Sequence, residues 1–187
     1  DFFFFVFFFD FAPIAMMAKA PNVLVVHPSL PVRSVKELIS FAKSRPEQLF
    51  YSSGQNGAGT HLSAELFNSL AKVKLTRVVY KGTGAGIIAG VSGEVQVMFP
   101  SVGSVEPFLK SNRLRPLAVT GATPSALLPN LPTMAAAGLP GYESESSYGI
   151  FAPAKTPVAI INRLNQEVVK VLANPEVKER FFKSGIE

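Results

Sequence analysis

Hydroxyl, amide and glycine residues concentrate between positions 50 and 70, in the segment FYSSGQNGAGTHLSAELFNSL. Gly54, Gly57 and Gly59 would let backbone N–H groups converge, because glycine adopts turn conformations that other residues avoid. A helix that begins near Thr60 would add unpaired amides and a partial positive charge. The segment therefore suits an anion. An ordinary strand-to-helix turn with a capping threonine explains the same pattern, and this stretch alone leaves both interpretations open.

Side chains around this turn and at other predicted strand ends offer further hydrogen-bond donors. For His61, a structural role is the preferred interpretation, although it lies close enough to the predicted anion loop to contact a ligand. In an open α/β sheet, ligands collect at the carboxyl ends of strands, so these loops are predicted to converge. Loop capping explains any single serine, and it is their repetition that indicates a binding site. The predicted ligand-binding residues are Ser52, Ser53, Gly54, Asn56, Gly57, Gly59, Thr60, His61, Tyr80, Thr83, Ser101, Ser147 and Tyr148.

The glycine-rich segment KGTGAG at residues 81–86 supports the main alternative, an enzyme that binds a phosphorylated or dinucleotide ligand. Its glycines do not match the G-x-G-x-x-G spacing, and no acidic residue stands near the end of the following predicted strand. A nucleotide bound to the purified protein would favour this alternative over a binding protein.

No catalytic residue, metal site or cofactor is predicted. The segment Gly90-Val91-Ser92-Gly93 lacks the G-x-S-x-G pattern of a serine hydrolase. Neither His27 nor His61 has a suitably spaced metal-ligand partner. Glu143 and Glu145 are interpreted as solvated charges, so no carboxylate pair is available for acid–base chemistry. A non-catalytic binding function remains.

Composition narrows the class of partner. The 187 residues carry a net charge of +5, but the 18 lysines and arginines are scattered singly, which indicates a mild attraction for anions and no nucleic-acid patch. The chain contains no cysteine. That excludes a thiolate nucleophile and a disulfide framework, and it fits an oxidising compartment.

Strands and helices alternate along the predicted central part, which favours an α/β sheet with right-handed crossovers. Ser34 and Glu37 match a capping box at the start of the first helix. Ser104 is predicted to cap the last helix of the series. Strands are predicted at residues 22–27, 49–52, 75–80, 95–99 and 114–120, and helices at 34–44, 60–70, 85–91 and 104–112.

Prolines interrupt residues 121–142, which we interpret as a linker and domain boundary. A strand at 148–152 and two helices follow. Thr156-Pro157 and Asn174-Pro175 are predicted helix starts, each an N-cap before a first-turn proline. We expect the apolar faces of these helices to be buried, and their residues are Val158, Ile161, Leu164, Val168 and Val171, then Val177 and Phe181.

The Phe-rich residues 2–9 lack the alternation of a half-buried strand, and they are too short to span a bilayer. We assign them no function.

A series of motifs, from about Asp10 to Glu187, resembles in order and spacing the Bug family of extracytoplasmic solute receptors, the TctC-like binding proteins of tripartite tricarboxylate transporters. These motifs are DFAPIA, NVLVVHPSLPVRSVKELI, YSSGQNGAGTHLSAELF, VVYKGTGAGI, GEVQVMF, LRPLAVTGATPS, LPNLPTMAAAGLPGYE and YGIFAPAKTPVAIINRLN. The resemblance implies an α/β type II periplasmic binding protein with two α/β lobes and a hinge near Pro21 and Tyr142. It implies a monomer in the periplasm of a Gram-negative bacterium that hands a small carboxylate to membrane permease subunits, without inserting into the membrane.

The same resemblance implies that residues 22–142 form lobe 2, while 1–21 and 143–187 belong to an incomplete lobe 1. The ligand-binding loop of the first lobe and the C-terminal helix of the family have no counterpart in this chain. Pro100 stands where members often carry Asp or another polar residue. The residues that carry over are therefore the loop from Ser52 to Thr60, the turn from Tyr80 to Thr83, and the pair Ser147 and Tyr148.

Overall fold

The computed structural model of the protein describes residues 10–186. The chain divides into a central unit, Pro21–Ser146, and a terminal unit made of the segments up to Ala20 and from Ser147 onward. The chain crosses between the units twice, within strands β1 (Phe11–Pro21) and β7 (Glu145–Pro153), which pair as a two-stranded sheet. The prediction for the Phe-rich residues 2–9 lies outside the described residues.

A five-stranded mixed sheet forms the middle of the central unit, with strand order β4-β3-β5-β2-β6. Strand β3 is parallel to β4 and to β5, whereas β2 is antiparallel to β5 and β6. All five predicted strands are present, although the fourth is shortened to two residues, and the Val95 N–H before it donates to the Ala89 carbonyl (3.3 Å). The bounds are β2 Val23–Val26, β3 Phe50–Ser53, β4 Thr76–Val79, β5 Val97–Met98 and β6 Arg115–Val119.

Four helices accompany this sheet: α1 (Val35–Ser44), α2 (Gly59–Ala71), α3 (Thr83–Ser92) and α4 (Val102–Lys110). Ser34 caps α1 as predicted, since its side chain accepts from the Glu37 N–H at 3.2 Å. The Glu37 carboxylate reaches back to the N–H of Arg33 (2.6 Å), one residue earlier than a standard capping box.

Three predicted helix starts in the central unit are corrected by the structure. Ala58, not Thr60, occupies the N-cap of α2. Helix α3 begins at Thr83 because Gly82 makes the turn alone, with φ +90°, so residues 84–86 are helical. Ser101 precedes α4, and the Ser104 hydroxyl donates to the Ser101 carbonyl (2.7 Å) instead of capping a later helix.

Apolar side chains are buried on both faces of the sheet. Leu24 and Val26 of β2 belong to one core cluster with Phe67, while Val23 and Val25 belong to another with Met98. The rings of Phe67 and Phe99 are 5.8 Å apart between centroids. The continuous apolar run of β2 is thus explained by burial on both sides.

The terminal unit carries helices α5 (Val158–Ala173) and α6 (Pro175–Lys183). Neither helix contains a buried residue among those described, so the prediction of a buried apolar face is wrong for Val158, Leu164 and Val171, which are exposed. Of the two N-caps predicted for these helices, the structure has one. Pro157 takes the N-cap place expected for Thr156, whereas Asn174 caps α6 by accepting from the Glu176 N–H (2.8 Å).

Candidate functional site

The ends of β3 and β5 and the first turns of α2 and α3 enclose one small depression in the central unit. The empty space within it is about 250 Å³, including room open to solvent. No charged side chain lines it. The lining residues are Ser52, Ser53, Gly54, Thr60, Gly82, Thr83, Gly86, Ile87, Met98, Phe99 and Pro100.

Glycine at position 86 lets α3 approach the end of β3. A Cβ atom built there would lie 3.2 Å from both Cβ and Oγ of Ser52, which is tighter than ordinary packing. Because α3 begins only three residues earlier, this close approach brings the N-terminal turn of the helix beside the β3 hydroxyls. The positive end of the α3 dipole therefore faces the depression.

Several backbone N–H groups at these two helix starts have no hydrogen-bond acceptor within residues 10–186. They are those of Gly59 and Thr60 in α2, and of Thr83 and Gly84 in α3. Thr60 and Thr83 line the depression. Unpaired amides at helix N-termini bind anions well, because each offers a donor and the dipole adds partial positive charge.

Three hydroxyl groups of the depression differ in what they have left to donate. The Thr60 oxygen accepts from the Gly54 N–H (3.0 Å), which leaves the Thr60 hydroxyl hydrogen available. The Ser52 hydroxyl has no partner within the described residues. The Ser53 hydroxyl has no hydrogen left to donate, since it donates to the Gly54 carbonyl (3.0 Å), and it also accepts from Arg77 Nε (2.6 Å).

Other predicted donors are engaged in hydrogen bonds within the protein. The Gly57 N–H donates to His61 Nδ1 (3.2 Å), so both residues order the loop. The Ser101 hydroxyl donates to Ser104 (3.1 Å). The Tyr80 hydroxyl donates to the Glu94 carboxylate (2.9 Å); burial, together with this bond, raises the pKa of Tyr80 to about 12.

The structure thus brings together five of the predicted residues, Ser52, Ser53, Gly54, Thr60 and Thr83, around one depression. Asn56, Gly57, Gly59, His61, Tyr80 and Ser101 do not line it. Ser147 and Tyr148 belong to the terminal unit.

Sequence reasoning missed the apolar wall and the glycines opposite β3. Ile87, Met98 and Phe99 form that wall, and Gly82 and Gly86 shape its rim. Both glycines lie in the KGTGAG segment. That segment was discounted because its glycine spacing does not match a dinucleotide-binding loop.

Two further observations concern metal binding and membrane spanning. Among residues 10–186, no three His, Cys, Asp or Glu side chains cluster in a way that would hold a metal ion. No helix in that part of the chain is both long and apolar enough to cross a bilayer.

A mixed sheet whose strand ends and helix N-termini meet at a small uncharged depression suits the capture of a small solute, as in a solute-binding protein. Solved structures support this class. Rpa4515 of R. palustris with adipate has a TM-score of 0.86 and 39% identity, and the match covers 95% of this chain and 60% of that one. MatC (Rpa3494) of Rhodopseudomonas palustris with bound malate has a TM-score of 0.82 and 29% identity, over 94% and 60% of the two chains.

The sequence pattern of the tripartite tricarboxylate transporter family receptors (TctC) matches residues 4–187, so the chain belongs to this family. A relative from Pseudomonas sp. (strain P51), described as a UPF0065 protein in the tcbD-tcbE intergenic region, is 37% identical over 178 residues, which are 95% of this chain and 53% of the relative. The predicted family and fold class are confirmed. The chain spans about half the length of the curated relatives it matches.

Proposed function

We propose that the protein is a periplasmic solute-binding receptor that captures a small carboxylate-bearing metabolite for a tripartite tricarboxylate-type transporter. The main observation in support is that the N-termini of α2 and α3 converge on one depression. Hydroxyl groups line this depression, and no charged side chain does. A carboxylate there would accept from the amides of Thr60 and Thr83 and from the hydroxyls of Ser52 and Thr60. The adipate and malate found in two similar structures support a ligand of this class.

The remaining parts of the proposal follow from family membership. The central unit would be the second lobe, and the terminal unit would be part of the first. Closure would occur by hinge motion where β1 and β7 cross between the units, near Pro21 and a few residues after Tyr142. Release to permease subunits would then need no bond to be made or broken in the ligand, and we expect a monomer that is not an enzyme.

The size of the depression argues for one carboxylate group of the ligand and against a whole nucleotide. The 250 Å³ includes space open to solvent, and the cavity volume proper is only about 10 Å³, far below the volume of about 300–1,000 Å³ that encloses most small-molecule ligands. The rest of the ligand would therefore extend beyond these loops, toward contacts that this depression does not supply. Ser147 and Tyr148 remain predicted contacts for that portion.

Calorimetric titration of the full-length protein with acetate, malate, adipate and citrate tests the proposal. We expect at least one acid to bind, and Thr60→Val to weaken that acid about tenfold by removing one hydrogen-bonding hydroxyl. Thr60→Ser keeps the hydroxyl and is the matched control. Absence of heat with every acid would reject the proposal, whereas equal affinity of wild type and Thr60→Val would reject the role of this hydroxyl.

A further inference from the structure

An arginine outside the depression holds the loop that precedes α2. Arg77 lies on edge strand β4, in register with Tyr51 of β3. Its guanidinium donates three hydrogen bonds to that loop: Nε to Ser53 Oγ (2.6 Å), Nη1 to Asn56 Oδ1 (2.6 Å) and Nη2 to the Gly54 carbonyl (2.8 Å). One side chain thus fixes both ends of a four-residue turn.

The acceptors of Arg77 are all neutral. Within residues 10–186, no carboxylate lies in ion-pair range of its guanidinium, and the ion pairs described there join other, exposed side chains. Arg77 therefore keeps its positive charge beside the loop. The guanidinium is therefore held at the loop by hydrogen bonds to neutral acceptors alone.

The three bonds also set the direction of the loop peptides. The Gly54 carbonyl points to Arg77, and the Gly54 N–H donates to Thr60 Oγ1 (3.0 Å). That second bond occupies a lone pair of the Thr60 oxygen and leaves its hydrogen to donate. The contacts form a continuous series from Arg77, through Gly54, to a hydroxyl that lines the depression.

We infer that Arg77 is a positioning residue for ligand binding, which fixes the loop at residues 53–56 so that Thr60 and the first amides of α2 face the ligand. This inference rests on the proposed function. Arginine suits the task better than lysine because its planar fork presents several donors in fixed directions, whereas an ammonium is a single point charge. Holding the loop before the ligand arrives reduces the ordering that binding would otherwise require.

Two variants distinguish the hydrogen-bonding geometry of the Arg77 guanidinium from its positive charge. Arg77→Met keeps most of the aliphatic stem and removes every donor, and Arg77→Lys keeps the charge without the fork. Arg113→Met is the matched control, because Arg113 stacks near the Phe108 ring (5.6 Å) beyond the C-terminal end of α4, away from the depression. Each full-length protein is titrated calorimetrically with malate, adipate and citrate, and its thermal midpoint is measured.

We expect the acid that binds wild type to bind Arg77→Met about 10- to 100-fold more weakly, since misplacing an oriented group loses most of its contribution. Arg77→Lys should recover only part of that loss, and the control should match wild type. Full recovery by lysine, or an Arg77→Met affinity within about twofold of wild type, would overturn the inference.

Amide hydrogen exchange of residues 54–60 without ligand gives the readout that global destabilisation would not produce. We expect faster exchange in Arg77→Met confined to this loop, with the core strands unchanged. If wild type binds no acid, the proposed function fails, but exchange still decides whether Arg77 holds the loop. If the loop amides of Arg77→Met exchange as slowly as those of the wild type, Arg77 does not hold the loop and the inference is wrong.

Discussion

The central and terminal units both carry amphipathic helices, but only the central unit buries their apolar faces. In α1, Val35, Leu38 and Ala42 are buried against the core. In α5, Val158 is 72% exposed and Leu164 41% exposed. The difference shows that an apolar stripe indicates which face of a helix can be buried, but not which part of the protein packs against it.

The two units also differ in what they offer a ligand. In the central unit, unpaired amides from two helix starts and the hydroxyls of Ser52 and Thr60 meet at one depression. The terminal unit presents an apolar surface that includes Tyr148 (51% exposed) and Phe151. The proposed anion site therefore belongs to the central unit, whose apolar core is buried.

The largest expected effect is in the core. Phe67→Ala should lower the free energy of unfolding by about 3–5 kcal/mol, because it removes a fully buried ring packed on Phe99. Leu164→Ala on α5 is the counterpart in the terminal unit and should cost less than about 1 kcal/mol. Urea unfolding followed by circular dichroism measures both. Similar losses for the two variants would remove the contrast between the units.

A buried hydroxyl near the crossing points should have the next largest effect. Thr120 is fully buried, and its one hydroxyl hydrogen is shared between the carbonyls of Ser144 (2.6 Å from Oγ1) and Asn22 (3.1 Å). The Asn22 carbonyl also accepts from the Thr120 N–H (3.0 Å), so Thr120→Val mainly deprives the Ser144 carbonyl of a donor and should cost about 1–3 kcal/mol. Thr120→Ser should retain most of the stability. Thermal unfolding of both variants checks this, and equal midpoints for Val and Ser would contradict it.

In the terminal unit, one side-chain hydrogen bond ties α5 to β1. The amide of Asn165 donates to the Ile14 carbonyl (2.6 Å). Asn165→Ala should cost about 1 kcal/mol and should speed hydrogen exchange in β1 while leaving the central sheet unchanged. The adjacent exposed Gln166 gives the control, Gln166→Ala. Faster exchange in the central sheet would mean that the units are not energetically separate.

The smallest effect concerns pH. The pKa of Tyr80 is raised to about 12 by burial and by the bond to Glu94, while an unfolded tyrosine ionises near pH 10. The folded state thus favours the protonated phenol, and its contribution to stability is present below about pH 10 and is lost between about pH 10 and 12. Tyr51 and Tyr142 have pKa values raised mainly by burial and act in the same direction.

Tyr80→Phe should therefore reduce, without abolishing, the fall in thermal midpoint between pH 10 and 12. Because the Tyr80 side chain is only half-buried, we expect a small change that is best measured as the difference between two pH profiles. A steeper fall in the variant would have the wrong sign.

Much of the central sheet could be predicted from local pattern, and so could the helix starts at Ser34 and Asn174, while the starts of α2, α3 and α4 could not. Continuous apolar runs such as Val23–Val26 revealed buried strands. Serine and threonine near a helix start compete as caps, and only packing decided that Ser101 and not Ser104 precedes α4. Arg77 was missed because its partners lie 21 to 24 residues earlier in the chain.

The amino-acid sequence by itself determined the order of strands and helices, the family, and the clustering of small donors around residues 52–60. Those features depend on local periodicity and on residue types, which folding does not alter. Tertiary structure alone decided which donors remain free. A hydroxyl or amide is available to a ligand only if no neighbour has already paired with it, and the neighbours of Ser53, Gly57 and Thr60 are set by how the strands and loops pack.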